Sequence, residues 1–295
     1  MFSILIPTYN NLDYLKKCIN SIKVNSNYDH QIIIHINEGN DGTIEYVKNN
    51  RFTHTFSKKN IGMPKALNNA SKLSKMDYIL ISHDDFYYCP GWDIELVKEL
   101  KKIDHKKFYL SGTMVGAGQV YYDAGETINE FNEKKLLNNI ESINTYNFQG
   151  TTKCPGLVHK DTWNKVGGWS EEFSPTGGDD TDFAMKLWCY DVRIFKGLGK
   201  CLAYHFGSIT TRKKDKSLFT YLGSRGNKIF LLKWGISINF FEKFYLKSGL
   251  DKNKKLIFNK YDGPLIEPTK NLNYYIELIK VKLQLIYIKI FNINK

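Results

Sequence analysis

Arginine is nearly missing from this chain: only four of its 42 basic residues are Arg (Arg51, Arg193, Arg212, Arg225). Guanidinium forks read base edges and grip phosphates bidentately, so their scarcity argues against a nucleic-acid partner in spite of a formal net charge of +12. The five cysteines are an odd number with no CxxC pair, which excludes a disulfide framework and a thiolate zinc site and suits a reducing compartment. No apolar run approaches the roughly 18 residues of a spanning helix, and the opening MFSILIPTYNN has no basic leader region. The expected placement is cytoplasmic, free or at the cytoplasmic face of a membrane. Seven Pro and 22 Gly among 295 residues are too few for a collagen-like or proline-rich filament. GxxxxGK[ST], GxSxG and HExxH are all absent, as is GxGxxG after a strand, which removes P-loop, serine-hydrolase, zincin and dinucleotide-fingerprint chemistries.

What is present describes a folded protein, with 42% hydrophobic and 14% aromatic residues, long enough for one large domain or a domain with an appended piece. The charge is unevenly placed. Residues 1–211 carry 24 basic and 24 acidic side chains, whereas residues 212–295 carry 18 and 6 and account for the whole excess. A domain boundary is placed there, giving 1–211 and a basic, mainly helical extension, 212–295.

Apolar patterning in the first part alternates. Residues 2–6 form a strand ending at Pro7, and Leu12, Leu15, Ile19 and Ile22 mark a helix. Strands over 32–36, 52–56 and 78–82 alternate with short helices around 43–50 and 63–73. Beyond them lie helix-like 93–103, strand-like 108–115, helix-like 133–147, and strand-like 192–195 and 201–206. Repeated βα units imply an α/β fold with a mostly parallel sheet. Polar residues cluster just past the strand ends at 7–10, 37–43 and 83–85, and such loops line the ligand crevice of an open α/β sheet.

Three constellations bear on chemistry. Asp84-Asp85 closes an apolar strand, and adjacent carboxylates are best tolerated where a cation or a sugar hydroxyl meets them; a solvated turn with an N-cap Asp is the plain alternative. Asp179, Asp180 and Asp182 follow Gly177-Gly178 and open a helix. Capping explains one or two of them, and one with a pKa raised by its neighbours could act as a general base. His205 ends the strand-like CLAYHF, where a lone histidine is more often structural.

Taken in order, these pieces resemble the family 2 glycosyltransferases with the GT-A (Rossmann-like) fold. Pro7-Thr8-Tyr9-Asn10 looks like that family's first nucleotide loop, and Asn37 to Thr43 like its acidic second loop, with Asn37 where an Asp is usual. Asn60-Ile61-Gly62 with Lys65 and Asn68 resembles the stretch that closes over the donor. Ser82-His83-Asp84-Asp85 sits where the metal-binding DxD motif belongs, one acid short, with His83 as ligand or mere neighbour. Val166-Gly167-Gly168-Trp169 followed by Asp179-Asp180 resembles the segment carrying the catalytic base, and Tyr204-His205-Phe206 the late histidine that completes metal binding.

The resemblance covers residues 1–211. It implies an inverting transferase of hexosyl or N-acetylhexosaminyl groups acting in glycan biosynthesis, with a nucleotide-sugar donor, UDP-sugar favoured, and a glycan or other hydroxyl acceptor. The implied cofactor is Mn2+ or Mg2+ held by Asp85 and His205. Asp180 becomes the base, with Pro7, Thr8, Tyr9, Asn10, Glu38, Asn60, Gly62, Lys65 and Asp84 on the donor. Asp179 falls on the acceptor side, as does Trp169 if it stacks on an acceptor sugar, a Trp after Gly-Gly being about as often a packing residue. The rival readings are a non-catalytic nucleotide-sugar or carbohydrate binder on the same scaffold, and a membrane- or nucleic-acid-associated protein acting through the basic tail. In the terminal segment 274–295, Lys280 and Lys282 lie about 200° apart on a helical wheel, which spoils a clean lysine face for peripheral membrane contact.

Overall fold

The computed structural model describes residues 1–116, 118–143, 146–150, 152–207, 216–250 and 256–290. In chain order its elements are β1 (Phe2–Tyr9), α1 (Leu12–Asn25), β2 (Gln31–Asn37), α2 (Thr43–Asn49), β3 (Thr53–Ser57), α3 (Met63–Ser71), β4 (Tyr78–Ile81), β5 (Phe86–Tyr88), α4 (Trp92–Leu100), β6 (Phe108–Gly116), α5 (Glu133–Asn138), β7 (Phe148–Gln149), β8 (Gly156–His159), α6 (Lys160–Val166), α7 (Asp179–Cys189), β9 (Ile194–His205), α8 (Lys216–Trp234), α9 (Ile238–Phe244), β10 (Ser248–Leu250), β11 (Leu256–Phe258) and α10 (Leu272–Ile290).

One sheet dominates, in the order β3-β2-β1-β4-β8-β6-β9-β5, with β7 also on β9. The α/β class expected from alternation holds. The first four strands pair in parallel, as βαβ crossovers require. Beyond β4 the sheet is mixed, because β8 inserts antiparallel between β4 and β6, and β5 and β7 pair antiparallel with β9. Pro7 does not end β1; it lies within the strand, opposite His35.

The two strand-like stretches 192–195 and 201–206 belong to a single long β9. Gly197 inside it looks like a break in sequence, yet a Cβ there would lie 2.0 Å from the Phe148 ring, so the glycine admits the ring against the strand. The helical stretch expected over 133–147 stops at Asn138 and continues only as a short 3-10 turn, Ile140–Ser142.

The expected boundary at residues 211–212 lies outside the described residues, but the chain on its C-terminal side packs against the sheet domain. Phe230, Leu231, Phe240, Phe241, Tyr274 and Val281 join the same apolar core as β1 and β4. Helix α8 approaches the turn before α7 closely enough that a Cβ on Gly226 would lie 1.9 Å from the Gly177 carbonyl oxygen. No helix among the described residues is long and apolar enough to cross a membrane.

Candidate active site

The carboxyl ends of β1, β2 and β4 meet, as the crevice rule predicts. Thr8 Oγ1 donates to Asp84 Oδ2 at 2.7 Å. Asn10 sits in the left-handed region (φ 46°), which aims its side-chain carbonyl to accept the amide hydrogens of Gly39 and Asn40 at 2.9 and 2.8 Å. Its Nδ2 donates to Glu38, whose other oxygen accepts the Asn60 amide at 3.3 Å. Asn37 Oδ1 accepts from the Ser57 hydroxyl and the Ile61 amide, both at 3.0 Å. One carbonyl oxygen therefore ties the second loop to the third. Residues 7–10, 37–40 and 60–62 form one hydrogen-bonded shelf beside Asp84.

Pro7 and Tyr9 are half-buried on that shelf, and Lys65 is half-buried on the first turn of α3. Gly62 has a packing reason of its own. At φ +82° its missing Cβ would lie 2.5 Å from Pro175 Cα, and the next amide, Met63, donates to the Pro175 carbonyl. Asn68 clamps the same loops together: it accepts from the Trp169 amide and donates to the Trp169 carbonyl.

The antiparallel register of β5 on β9, Phe86 opposite His205, carries the late histidine to the carboxylate pair. His205 Nε2 lies 3.4 Å from Asp85 Oδ2, and His83 Nδ1 lies 3.9 Å from Asp85 Oδ1. His83, Asp85 and His205 bring one ligand atom each within 4.8 Å of one another. Phe86 spaces both rings, with His83 stacked on it at 4.9 Å and His205 edge-on at 5.0 Å.

Burial pushes His83 down to about 4, so its imidazole is neutral near pH 7 and able to donate a lone pair. Its Nε2 is buried with no hydrogen-bond partner. Burial, then the charge of Asp85, pushes Asp84 well up from the usual carboxylate range, against the pull of the Thr8 hydroxyl. Buried carboxylates beside the neutral His83 imidazole suit a divalent cation, and the donor set fits one.

The three acids that open α7 have three different duties. Asp179 accepts from the Gly177 amide and the Thr176 hydroxyl, closing its own loop, and burial followed by the neighbouring Asp180 pushes its carboxyl up. Asp180 meets Lys153 Nζ at 2.6 Å and the Thr181 amide at 2.8 Å. Burial works to raise the Asp180 carboxyl, but the Lys153 charge and these hydrogen bonds outweigh it and hold it below the ordinary range. The raised base expected from sequence is thus found on Asp179, while the residue assigned as base is held ionised. Asp182 is fully buried and anchors the extension, accepting from Trp234 Nε1 at 2.7 Å and pairing with Lys233 at 2.9 Å.

Trp169 does not offer the stacking face expected of it: it is 2% exposed, stacked on Phe183 inside the core. Lys153, Phe86 and Glu242 were not singled out in the sequence, because each becomes relevant only through a contact across the fold. Asp180 and Lys153 both act electrostatically on His83, and Glu242 of α9 and Asp180 act on one another, so the acid cluster and the imidazole cluster lie within electrostatic reach of each other.

This arrangement can be set beside known proteins. Residues 3–155 match the family model described as Glycosyl transferase family 2, which is more than half of the chain. The chain belongs to glycosyltransferase family 2. It is 25% identical over 272 residues to a hyaluronan synthase of Pasteurella multocida, covering 88% of this chain and 26% of that protein. An uncharacterised glycosyltransferase of Rickettsia felis is 28% identical over 167 residues, 54% of this chain and 26% of its own length. The chain therefore spans about a quarter of the curated relatives it matches. Among solved structures, S. aureus TarS 1–349 in complex with UDP superposes with a TM-score of 0.53 at 15% identity, over 82% of this chain and 72% of that one. The same protein in complex with UDP-GlcNAc gives 0.51 at 15% identity, over 79% and 71%. At this identity the TarS likeness establishes the GT-A fold of this family 2 chain.

Proposed function

We propose that this chain is a metal-dependent, inverting glycosyltransferase that moves a hexosyl or N-acetylhexosaminyl group from a UDP-sugar to a hydroxyl of a glycan or similar acceptor, in glycan biosynthesis. The observation that carries the reading is a His83–Asp85–His205 ligand set within electrostatic reach of an Asp180 carboxyl held below the ordinary range. The UDP and UDP-GlcNAc complexes of TarS support the donor class, and the hyaluronan synthase relative supports a glycan product. Residues 1–211 serve as the transferase domain, with 212–295 as an extension packed on it. The five free thiols suit a cytoplasmic setting.

The nucleotide occupies the shelf of Pro7, Thr8, Tyr9, Asn10, Glu38 and Asn60, with Lys65 at its rim and Asp84, oriented by Thr8, toward the ribose. Asp85, His205 and His83 hold the cation. Two imidazoles beside one carboxylate favour Mn2+ over Mg2+, which prefers an all-oxygen shell and dehydrates reluctantly. Such a cation, when bound, neutralises charge that gathers on the departing diphosphate.

Asp180 accepts the proton of the acceptor hydroxyl. The oxygen forms a bond to the anomeric carbon on the face opposite the diphosphate, whose own bond to that carbon breaks. The configuration inverts and no covalent sugar-enzyme intermediate forms. Asp179 shapes the acceptor side by fixing the 176–180 loop.

The test is calorimetric titration of UDP-sugars with and without Mn2+, followed by product analysis against hydroxyl acceptors. Mn2+-dependent binding with transfer is the expected result. Donor binding without hydrolysis or transfer over a broad acceptor panel would instead favour the non-catalytic binder.

A further inference from the structure

Helix α10 carries two apolar stripes at heptad spacing, and only one of them is used by the fold. Tyr274, Leu278, Val281, Leu285 and Ile288 face inward and join the core, with the Tyr274 ring 5.0 and 5.2 Å from Phe240 and Phe244 of α9. Leu272, Ile276, Ile279, Leu283, Ile286 and Ile290 face outward and are 44–76% exposed. At about 100° per residue these six side chains fall within an arc of about 80°, along roughly 27 Å of helix. A contiguous aliphatic strip of that length is not ordinary surface for a protein in water.

The borders of the strip identify its partner. Tyr275 and Tyr287 widen it, being 48% and 55% exposed. Lys282 and Lys289 lie along one margin and Lys280 along the other. The wide separation of Lys280 and Lys282, read in sequence as spoiling a lysine face, instead puts a cation on each side of the strip. Their present contacts are local: Lys280 pairs with Glu277 at 3.0 Å and Lys282 donates to the Gly235 carbonyl. Glu277 is the only acidic residue on the helix, and residues 212–295 hold 18 basic against 6 acidic side chains. A second copy would bring lysine-rich margins together, whereas anionic headgroups bring the opposite charge.

We propose that the outer face of α10 docks in the plane of an anionic lipid surface, with the aliphatic strip at the acyl boundary, the tyrosines at headgroup depth and the lysines reaching the headgroups. The proposal stands on α10 alone and survives failure of the transferase reading.

The experiment is co-sedimentation of the full chain with vesicles of phosphatidylcholine alone or with about one-third phosphatidylglycerol. Binding to the anionic vesicles, weakened by salt, is expected. The triple variant Ile279→Glu, Leu283→Glu, Ile286→Glu should bind them at least ~100-fold more weakly while melting at the wild-type temperature. Should the triple variant melt early, Lys280→Glu with Lys289→Glu decides, since it keeps the strip and should weaken binding to anionic vesicles only. The proposal is overturned if the wild-type chain ignores anionic vesicles, or if neither variant changes its binding. It is equally overturned if sedimentation velocity reveals a dimer that the triple variant dissociates and no vesicle binding accompanies it; the face would then belong to a second copy.

Discussion

Two clusters of acids lie within electrostatic reach of one another, and the fold treats Asp84 and Asp180 in opposite ways. At 84–85 a hydroxyl and two imidazoles lie against the acids, and the Asp84 carboxyl is pushed up. At 180–182 the partners are ammonium groups, Lys153 on Asp180 and Lys233 on Asp182, and the Asp180 carboxyl is pulled down. A hydroxyl on a buried carboxylate leaves its charge in place, whereas a lysine of the chain balances it. The first cluster therefore sets ligand-type atoms of His83, Asp85 and His205 together, and the second holds the Asp180 carboxyl below the ordinary range. Each half of this contrast can be broken separately.

The largest effect is expected from Asp180→Asn, which keeps the shape and removes the proton acceptor. Transfer should fall by about 10²–10⁴-fold, the range of general-base catalysis, while UDP-sugar affinity in Mn2+ stays within about twofold of wild type. Initial rates and calorimetry on the same preparation check both. A variant that still transfers at near-normal rate would remove Asp180 from the reaction.

Asp85→Ala attacks the other cluster. Its loss leaves two imidazoles without the carboxylate between them, and Mn2+-dependent donor affinity should drop by at least ~100-fold, a loss of several kcal/mol of charge neutralisation. Metal-independent nucleotide binding should change little. An unchanged response to Mn2+ would strip Asp85 of its ligand role.

Asp182→Ala separates structure from chemistry within the second cluster. The carboxylate is fully buried and bridges α7 to Trp234 and Lys233 at the end of α8. Leaving those donors without their acceptor should lower unfolding stability by about 3 kcal/mol, read from urea midpoints. Donor affinity should be kept. Loss of donor binding with no loss of stability would put Asp182 among the functional acids.

The contrast also explains how much was readable beforehand. The βα alternation follows from short-range periodicity, so β1 to β4 and their carboxyl-end loops were legible. Asp85 and His205 were found as separate strand-end residues, but what joins them is β5, three residues too short and too uniformly apolar to show a period. Lys153 sits in a polar stretch and bears on Asp180 only because the fold brings its Nζ within 2.6 Å of that carboxylate. Trp169 stayed open between stacking and packing because a ring after two glycines turns outward or inward by tertiary packing, and here Phe183 receives it. The exposed strip on α10 was present in the sequence as a heptad of aliphatics, hidden by a second, interleaved heptad that the core absorbs.

The smallest expected effect is the most discriminating, because it tests the internal cation itself. A base works only when deprotonated, so activity is lost as pH falls through its pKa. Burial alone would raise the Asp180 value; the Lys153 charge and hydrogen bond bring it down. With Lys153 in place, the acidic limb of kcat against pH attributable to Asp180 lies below the usual carboxylate range. Lys153→Met should move that limb upward by about one to two pH units, leaving turnover on the alkaline side of the limb far less affected than in Asp180→Asn. An unmoved limb would show that the ammonium does not set the charge of the base, and the contrast between the Asp84 and Asp180 carboxyls would lose its cause.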